Sequence, residues 1–359
     1  MGFSVTDMII KIDLSTRDAS AFDRNKLSEL FEEASRASLL GYHRVVLSRG
    51  LAKWAVENLD LSDRHKVHIT KIGHEYAQLG QQYKSAAIKI RIRADVLGII
   101  EEGDGTWTVG VQCAGPEGVL SQTSLVFENG INDGDFYKLI LEMSAKSIGF
   151  GDISYVAING GGNGCGGQIQ RISNEGKVVS CICDTDIKVP GGAKSQTYQS
   201  TIRARDNSKP LGIVLGTPCM EIENFLPISI VRSLTNEIEA LNHIEELVRR
   251  QGANVEPGDC LWLFVDIKSG FRVGQLDDYC RNENLRQWVC RKYNVVDEEI
   301  RDIFVPPFGA DLLRRFMASN ELIAEMHKHV RSTYWKTHFL DWVRMVLWAL
   351  AGRKRERVS

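Results

Sequence analysis

The 359-residue chain has no excess of either charge: 44 Lys and Arg stand against 46 Asp and Glu, a formal net charge of −2. Overall charge therefore argues neither for nor against a nucleic-acid partner, and any basic binding surface must be a local patch. Long apolar runs are absent. The one membrane-like stretch, Phe339 to Ala351, is too short to cross hydrocarbon and carries Asp341 and Arg344, so a packing helix and no membrane association are expected. The opening MGFSVTDMIIKID has no basic segment followed by a long apolar core. No secretory signal is expected, and a cytoplasmic chain with reduced thiols is expected. Met1-Gly2 with Thr6 meets only a loose myristoylation pattern. The eight cysteines form no C-x-x-C pair and no histidine cluster accompanies them, which argues against a zinc site. The eight histidines form no H-E-x-x-H. There is no internal repeat.

What is present is the composition of an ordinary folded protein, 43% hydrophobic and 25% charged, with a length that suits two or three domains. Residues 1–120 read as an α/β domain that binds a partner or nucleic acid. Asp23 to Leu39 carries Leu27, Leu30, Phe31, Ala34 and Ala37 at helical spacing, and Leu51 to Leu59 reads as another helix. Ala87 to Ala94 alternates, with Ile88, Ile90 and Ile92 on one face and Lys89, Arg91 and Arg93 on the other. That basic face suits either a phosphate backbone or a solvent-facing edge strand defended by charge. Trp107 to Cys113 reads as a strand entered by a Gly103-Asp104-Gly105 turn.

From residue 121 to 270 the pattern is strand, loop and helix in repetition. Ser124 to Phe127, Ile153 to Ile158 and Lys177 to Cys183 read as strands, and Asp135 to Ser147 and Gln168 to Asn174 as helices. Such alternation predicts a wound parallel sheet. Residues 271–359 are mostly helical in pattern, and the strand-like Cys260 to Ile267 precedes them. The fold class expected is α/β, a central wound parallel sheet flanked by helices.

Polar residues gather where the predicted strands end, and in wound sheets that edge is where sites form. FENGINDGDFY supplies Glu128, Asn129, Asp133 and Asp135; NGGGNG covers residues 159–164; Asp184-Thr185-Asp186 follows the third strand. Several carboxylates on one edge repel one another unless a hard cation is bound, and Mg²⁺ suits such oxygen ligands. The glycine run fits either a close approach of backbone N–H groups to phosphate or a tight strand-to-helix turn. No Lys-Ser/Thr follows it, so it is not a Walker A loop.

An acidic residue close to Gly-x-x-Asp, then a glycine-rich turn, then D-x-D resembles the TOPRIM domain of topoisomerases, primases and OLD-type nucleases. FENGINDGDFY and MEIENFLP, at 220–227, are most similar to segments of OLD-like and PARIS-type anti-phage effectors. The resemblance covers roughly residues 121–270 and implies a TOPRIM-like catalytic domain. It implies that Asp184 and Asp186 ligate Mg²⁺ or Mn²⁺, with Asp133 and Glu223 as further acidic ligands, and that Lys268 stabilises charge on phosphate. It also implies DNA or RNA as substrate, a regulatory ATPase or other defence protein as partner, and a homodimer as an assembly to consider.

One position departs from that family. Its glutamate immediately precedes the glycine, whereas here Asn129 does and Glu128 stands one residue earlier. On a regular strand the slip would aim the carboxylate at the opposite face. Asn129-Gly130 is turn-prone, so alternation is expected to end at Phe127 and Glu128 to turn toward Asp184 as ligand or base. If Glu128 faces away, a TOPRIM-like sensor or scaffold is the alternative; phosphoryl or nucleotidyl transfer is another.

Overall fold

A computed structural model describes residues 8–130, 133–150, 152–208, 211–251, 255–272, 283–296, 304–309 and 311–350. The Met1-Gly2 pattern, Cys280 and the basic tail lie outside these residues. The chain is α/β, and its strands form two main sheets.

The first sheet holds β1 (Ile9–Ile12), β2 (Arg44–Val46), β3 (Lys89–Arg93), β4 (Ile99–Gly103) and β5 (Thr106–Gly110) in the order β2-β1-β3-β5-β4. All neighbours are parallel except β4 and β5. Those two are joined through Gly103, Asp104 and Gly105, all at positive φ (88°, 49° and 68°), as a tight hairpin turn requires. Alternation places Ile10, Ile12, Ile90 and Ile92 in one core with Leu27, Leu30 and Phe31. Those leucines and Phe31 come from the Arg24–Leu39 helix, whose N-cap Asp23 accepts from the N–H groups of Asn25 and Lys26. The reading of the basic strand as a sheet edge is corrected. β3 lies between β1 and β5, because its isoleucine face is needed in the core while both its backbone edges are paired.

The second sheet holds β6 (Ser124–Phe127), β7 (Val156–Asn159), β8 (Val179–Cys183) and β9 (Val214–Gly216), all parallel, in the order β7-β6-β8-β9. Both its faces are covered, as expected of a parallel sheet. Leu125, Phe127 and Ile182 pack with the Asp133–Ser147 helix and the helical layer beyond it. Val126, Val179, Cys181 and Cys183 pack on the other face with Ile169 and Ile172 of the Cys165–Asn174 helix. The Gln196–Ser208 helix lies alongside that one.

The expected strand at Cys260 to Ile267 is instead a buried 3₁₀ turn, Leu261–Phe264. Its carbonyls find partners without a neighbouring strand: the Asn224 side-chain amide donates to Trp262 O (2.7 Å) and Val265 O (2.9 Å). An apolar run without alternation specifies burial and leaves the element type open. A two-stranded antiparallel ribbon follows, β10 (Phe271–Arg272) with β11 (Phe304–Val305). The Leu340–Leu350 helix ties the molecule together. Trp348 O accepts from Met8 N at the first sheet (2.8 Å), and Trp342 Nε1 donates to Gly216 O at the second (2.8 Å). Among the described residues, no helix is long and apolar enough to cross a membrane.

Candidate metal centre

The winding of the second sheet fixes where a site can form. The Asp133–Ser147 helix, which leads from β6 to β7, packs on one face, and the helices leading to β8 and β9 pack on the other. The direction of winding therefore reverses between β6 and β8. A crevice opens beyond the carboxyl ends of strands at such a switch point. Phe127 ends β6 and pairs with Ile182 of β8, so Glu128 and Asp184 emerge side by side.

Glu128 leaves the strand in a turn, and its Oε2 accepts from Asp184 N at 3.1 Å. Asn129 is exposed. The departure from alternation occurs after Phe127, where the chain bends to start the next helix. The charges of Asp133, Glu128 and Glu223 bear on the Asp184 carboxyl, with that of Lys268 opposing them. Burial first, and then the Asp133 charge, push its pKa well above the ordinary carboxylate range. Burial likewise raises Glu128 and lifts Asp133 to about 6. Tyr137 donates to Asp184 Oδ1 at 3.3 Å. Its ring stacks on Phe127 with centroids 5.6 Å apart, and burial and the nearby Asp184 keep its phenol protonated. Tyr137 belongs to the FENGINDGDFY segment, yet its aromatic character reads as core, so the sequence does not single it out.

The Asp184-Thr185-Asp186 turn is held rigidly. Thr185 is buried; its N–H donates to Thr217 Oγ1 (3.1 Å) and its hydroxyl to Cys219 O (2.9 Å). Ser195 Oγ donates to Asp184 O at 2.7 Å. Asp186 adopts φ 51°, a conformation that a short polar side chain tolerates better than most, and it is exposed. The two aspartates therefore differ in surroundings. Burial of its carboxyl oxygens and the Asp266 charge raise Asp186, Lys188 and Lys268 oppose them, and Asp186 in turn raises Glu128.

The IEN segment builds the far wall. Glu221 Oε1 accepts from the N–H groups of Ile267 (2.6 Å) and Lys268 (2.9 Å). Lys268 Nζ lies 2.9 Å from Glu223 Oε2 and 3.5 Å from Glu221 Oε2. The Glu223 contact is an ion pair without hydrogen-bond alignment, so this buried oxygen has no well-directed donor. Burial and the Glu223 charge lift Glu221 to about 7. Burial opposes charge on Lys268, but Glu223 and Glu221 outweigh it and hold the ammonium protonated. The expected role of Lys268 toward phosphate thus competes with two carboxylates it already neutralises. Glu221 and Asp266 were not anticipated. An acid outside a recognisable spacing carries no signal until the 3₁₀ turn brings it to the crevice.

The residues fit a hard cation in donor chemistry: the group around Asp184 offers carboxylate oxygens. They are openly spaced. Among the described residues, the group of three potential ligands with all ligand atoms within 4.8 Å of one another is Cys165, Cys181 and Cys183, not the acids. An open carboxylate set suits Mg²⁺, which keeps waters and takes one or two protein carboxylates.

The glycine run is a strand-to-helix turn. The N–H of Gly160 donates to Phe127 O (2.7 Å), that of Gly161 to Asn159 Oδ1 (3.1 Å) and that of Gly162 to Glu128 O (2.8 Å). The first and third lock the turn to the end of β6, the second closes it on β7, and none is offered to phosphate. On β3, Arg91 is paired with Glu102 and Arg93 with Asp95 (2.6 Å), so the basic face is locally neutralised. Lys89 and the two arginines stand on the first sheet, and their contacts do not join the acidic crevice.

No family model matches the chain, and no curated protein or solved structure is found similar to it.

Proposed function

We propose that the chain is a TOPRIM-like, divalent-metal-dependent nuclease that hydrolyses phosphodiester bonds of DNA or RNA, acting in anti-phage defence. The observation that carries this reading is the convergence of Glu128, Asp133, Glu223 and Asp184 on one crevice, with Asp184 recessed where its negative charge is costly. Such a group is stable as anions only beside a positive charge, and a single ammonium opposes it. Asp184, Glu128 and Glu223 would hold Mg²⁺ or Mn²⁺. A bound ion of this kind polarises a phosphoryl oxygen and lowers the pKa of its water.

The chain's own groups have separable roles in this reading. Glu128 takes the proton of the attacking water, and a carboxylate raised by burial is a better base than an exposed one. Tyr137 fixes the Asp184 carboxyl by donating to Oδ1. Lys268 compensates Glu221 and Glu223. Asp186, exposed on its turn, lies nearer solvent, where the nucleic-acid backbone would enter.

A sensor or scaffold that binds metal without cutting is favoured by one observation, the engagement of Lys268 by two glutamates. Incubating the purified chain with plasmid and with total tRNA, under Mg²⁺ and under Mn²⁺, separates the two, both alone and with a cognate ATPase partner. Cleavage lost in Asp184→Asn supports the nuclease. Metal binding without cleavage of either substrate supports the sensor.

A further inference from the structure

A second cluster of ligand-type side chains lies on the opposite face of the same sheet. Cys181 and Cys183 alternate on β8, so both point to the face covered by the Cys165–Asn174 helix. Cys165 is the first residue of that helix. All three sulfurs lie within 4.8 Å of one another, and Cys181 Sγ and Cys183 Sγ are 3.4 Å apart. Sulfurs sharing one zinc at about 2.3 Å stand roughly 3.8 Å from each other, so a small inward or outward adjustment is all that a shared ion requires. The cluster is closed on every side. The three residues have no exposed surface, and the glycine turn packs directly on the thiol: a Cβ at Gly160 would stand 2.3 Å from Cys165 Sγ. Thr201, on the adjoining Gln196–Ser208 helix, is fully buried, with its hydroxyl against the Cys183 thiol.

We propose that Cys165, Cys181 and Cys183 form a buried site for one thiophilic metal ion, of the Zn²⁺ or Cu(I) class. Three soft sulfur donors and no carboxylate select such ions over Mg²⁺ or Ca²⁺. Binding forms three sulfur–metal bonds and releases the thiol protons to solvent. The Thr201 hydroxyl, beside Cys183, is an oxygen available for a fourth position. Burial means the ion is captured as the chain folds, and the bound ion pins the glycine turn and the start of its helix to β8. Because Cys183 directly precedes Asp184, that pin also fixes the strand end from which the acidic crevice is built. Sequence spacing hides the site: Cys-x-Cys on a strand lacks the local turn of Cys-x-x-C, and the third thiol arrives only through the crossover.

The test uses the full chain, reduced, unfolded and metal-stripped, then refolded in graded Zn²⁺ with a chromogenic chelator as competitor, in Cu(I) with a Cu(I)-specific chelator, and in Co²⁺ for the thiolate charge-transfer band. One equivalent of Zn²⁺ or of Cu(I) is expected to bind, with proton release and with no competition from Mg²⁺. Cys165→Ser and Cys181→Ser should weaken binding by more than the roughly 10- to 100-fold that loss of an outer-shell partner costs. Cys219→Ser, a buried thiol elsewhere, should leave it unchanged. Should the serine variants fail to fold, alkylation and mass mapping of the wild-type chain decides. Zn²⁺ or Cu(I) should protect Cys165, Cys181 and Cys183 while leaving the labelling of Cys219 unaltered. Absence of stoichiometric binding by the reduced wild type, binding retained in both serine variants, or protection of other cysteines instead overturns the site.

Discussion

The main-chain N–H of Asp184 donates to Glu128 Oε2 at 3.1 Å, joining the ends of two adjacent parallel strands through a side chain that, on an unbroken strand, would have pointed elsewhere. The turn after Phe127 is what swings Glu128 over the sheet edge. Asn129, one residue on, is exposed. Glu128→Gln should therefore lower nuclease turnover by about 10²- to 10⁴-fold, the usual weight of a positioned base, whereas Asn129→Ala should retain most of it. Single-turnover cleavage of a labelled duplex measures both, and the reverse ranking would show that Asn129 occupies the working position.

Asp184 is the recessed acid, and its charge is unfavourable in the metal-free protein. Asp184→Asn removes that charge while keeping an acceptor for Tyr137. We expect the metal-free variant to be more stable than wild type at about pH 8, by about 1–3 kcal/mol, the scale of relieving an uncompensated buried polar group. Calorimetry with Mn²⁺ should show the variant's affinity lost. A variant that is both less stable and still binds Mn²⁺ would place the metal elsewhere.

The pH dependence follows from two neighbours of this group. Asp133 and Glu221 titrate at about 6 and about 7 in the fold, against ordinary values of 3.8 and 4.5. Both are raised, so the folded chain holds protons that the unfolded chain has released. The stability this confers is complete below about pH 4 and is lost as pH rises through 6 and 7. In EDTA, denaturation midpoints should fall between about pH 5 and pH 8. Saturating Mg²⁺ or Mn²⁺ should restore stability at the upper end by mass action. A flat profile in EDTA would count against the crowded-carboxylate account.

Lys268 is 37% exposed in its side chain and Glu223 only 2%, so the carboxylate depends on the ammonium far more than the reverse. Lys268→Met leaves Glu223 uncompensated, while Glu221 keeps its two backbone donors. The expected loss lies toward the lower end of about 3–5 kcal/mol for breaking a buried pair, because Lys268 keeps some solvent. Adding Glu223→Gln to Lys268→Met should recover part of that stability in chemical denaturation. No recovery in the double variant would mean that Lys268 acts on something other than Glu223.

The basic residues of β3 give a prediction of the opposite kind. Arg91 and Arg93 are already paired with acids. Replacing Lys89 and Arg93 by Gln should leave the salt dependence of nucleic-acid binding unchanged. A slope reduced by about one for each residue removed would show that this face contacts phosphate.

Much of this protein was legible in one dimension. The alternation of Ile88, Ile90 and Ile92, the helical spacing of Leu27 to Ala37 and the strand–helix succession after residue 121 are periodic signals. Burial of one face enforces them whatever the rest of the chain does. They determined the α/β class and placed Glu128 and Asp184 at strand ends. Three things needed the third dimension. The three-residue β9 is too short to carry a period. The Cys260 to Ile267 run is apolar without alternation, and only the Asn224 amide, reaching its carbonyls, decides that it becomes a 3₁₀ turn. Strand order cannot be read from spacing, because it depends on which crossover packs on which face. That order, β7-β6-β8-β9, brings the ends of β6 and β8 together with the Glu221–Glu223 segment on one edge and gathers Cys165 with Cys181 and Cys183 on the other face.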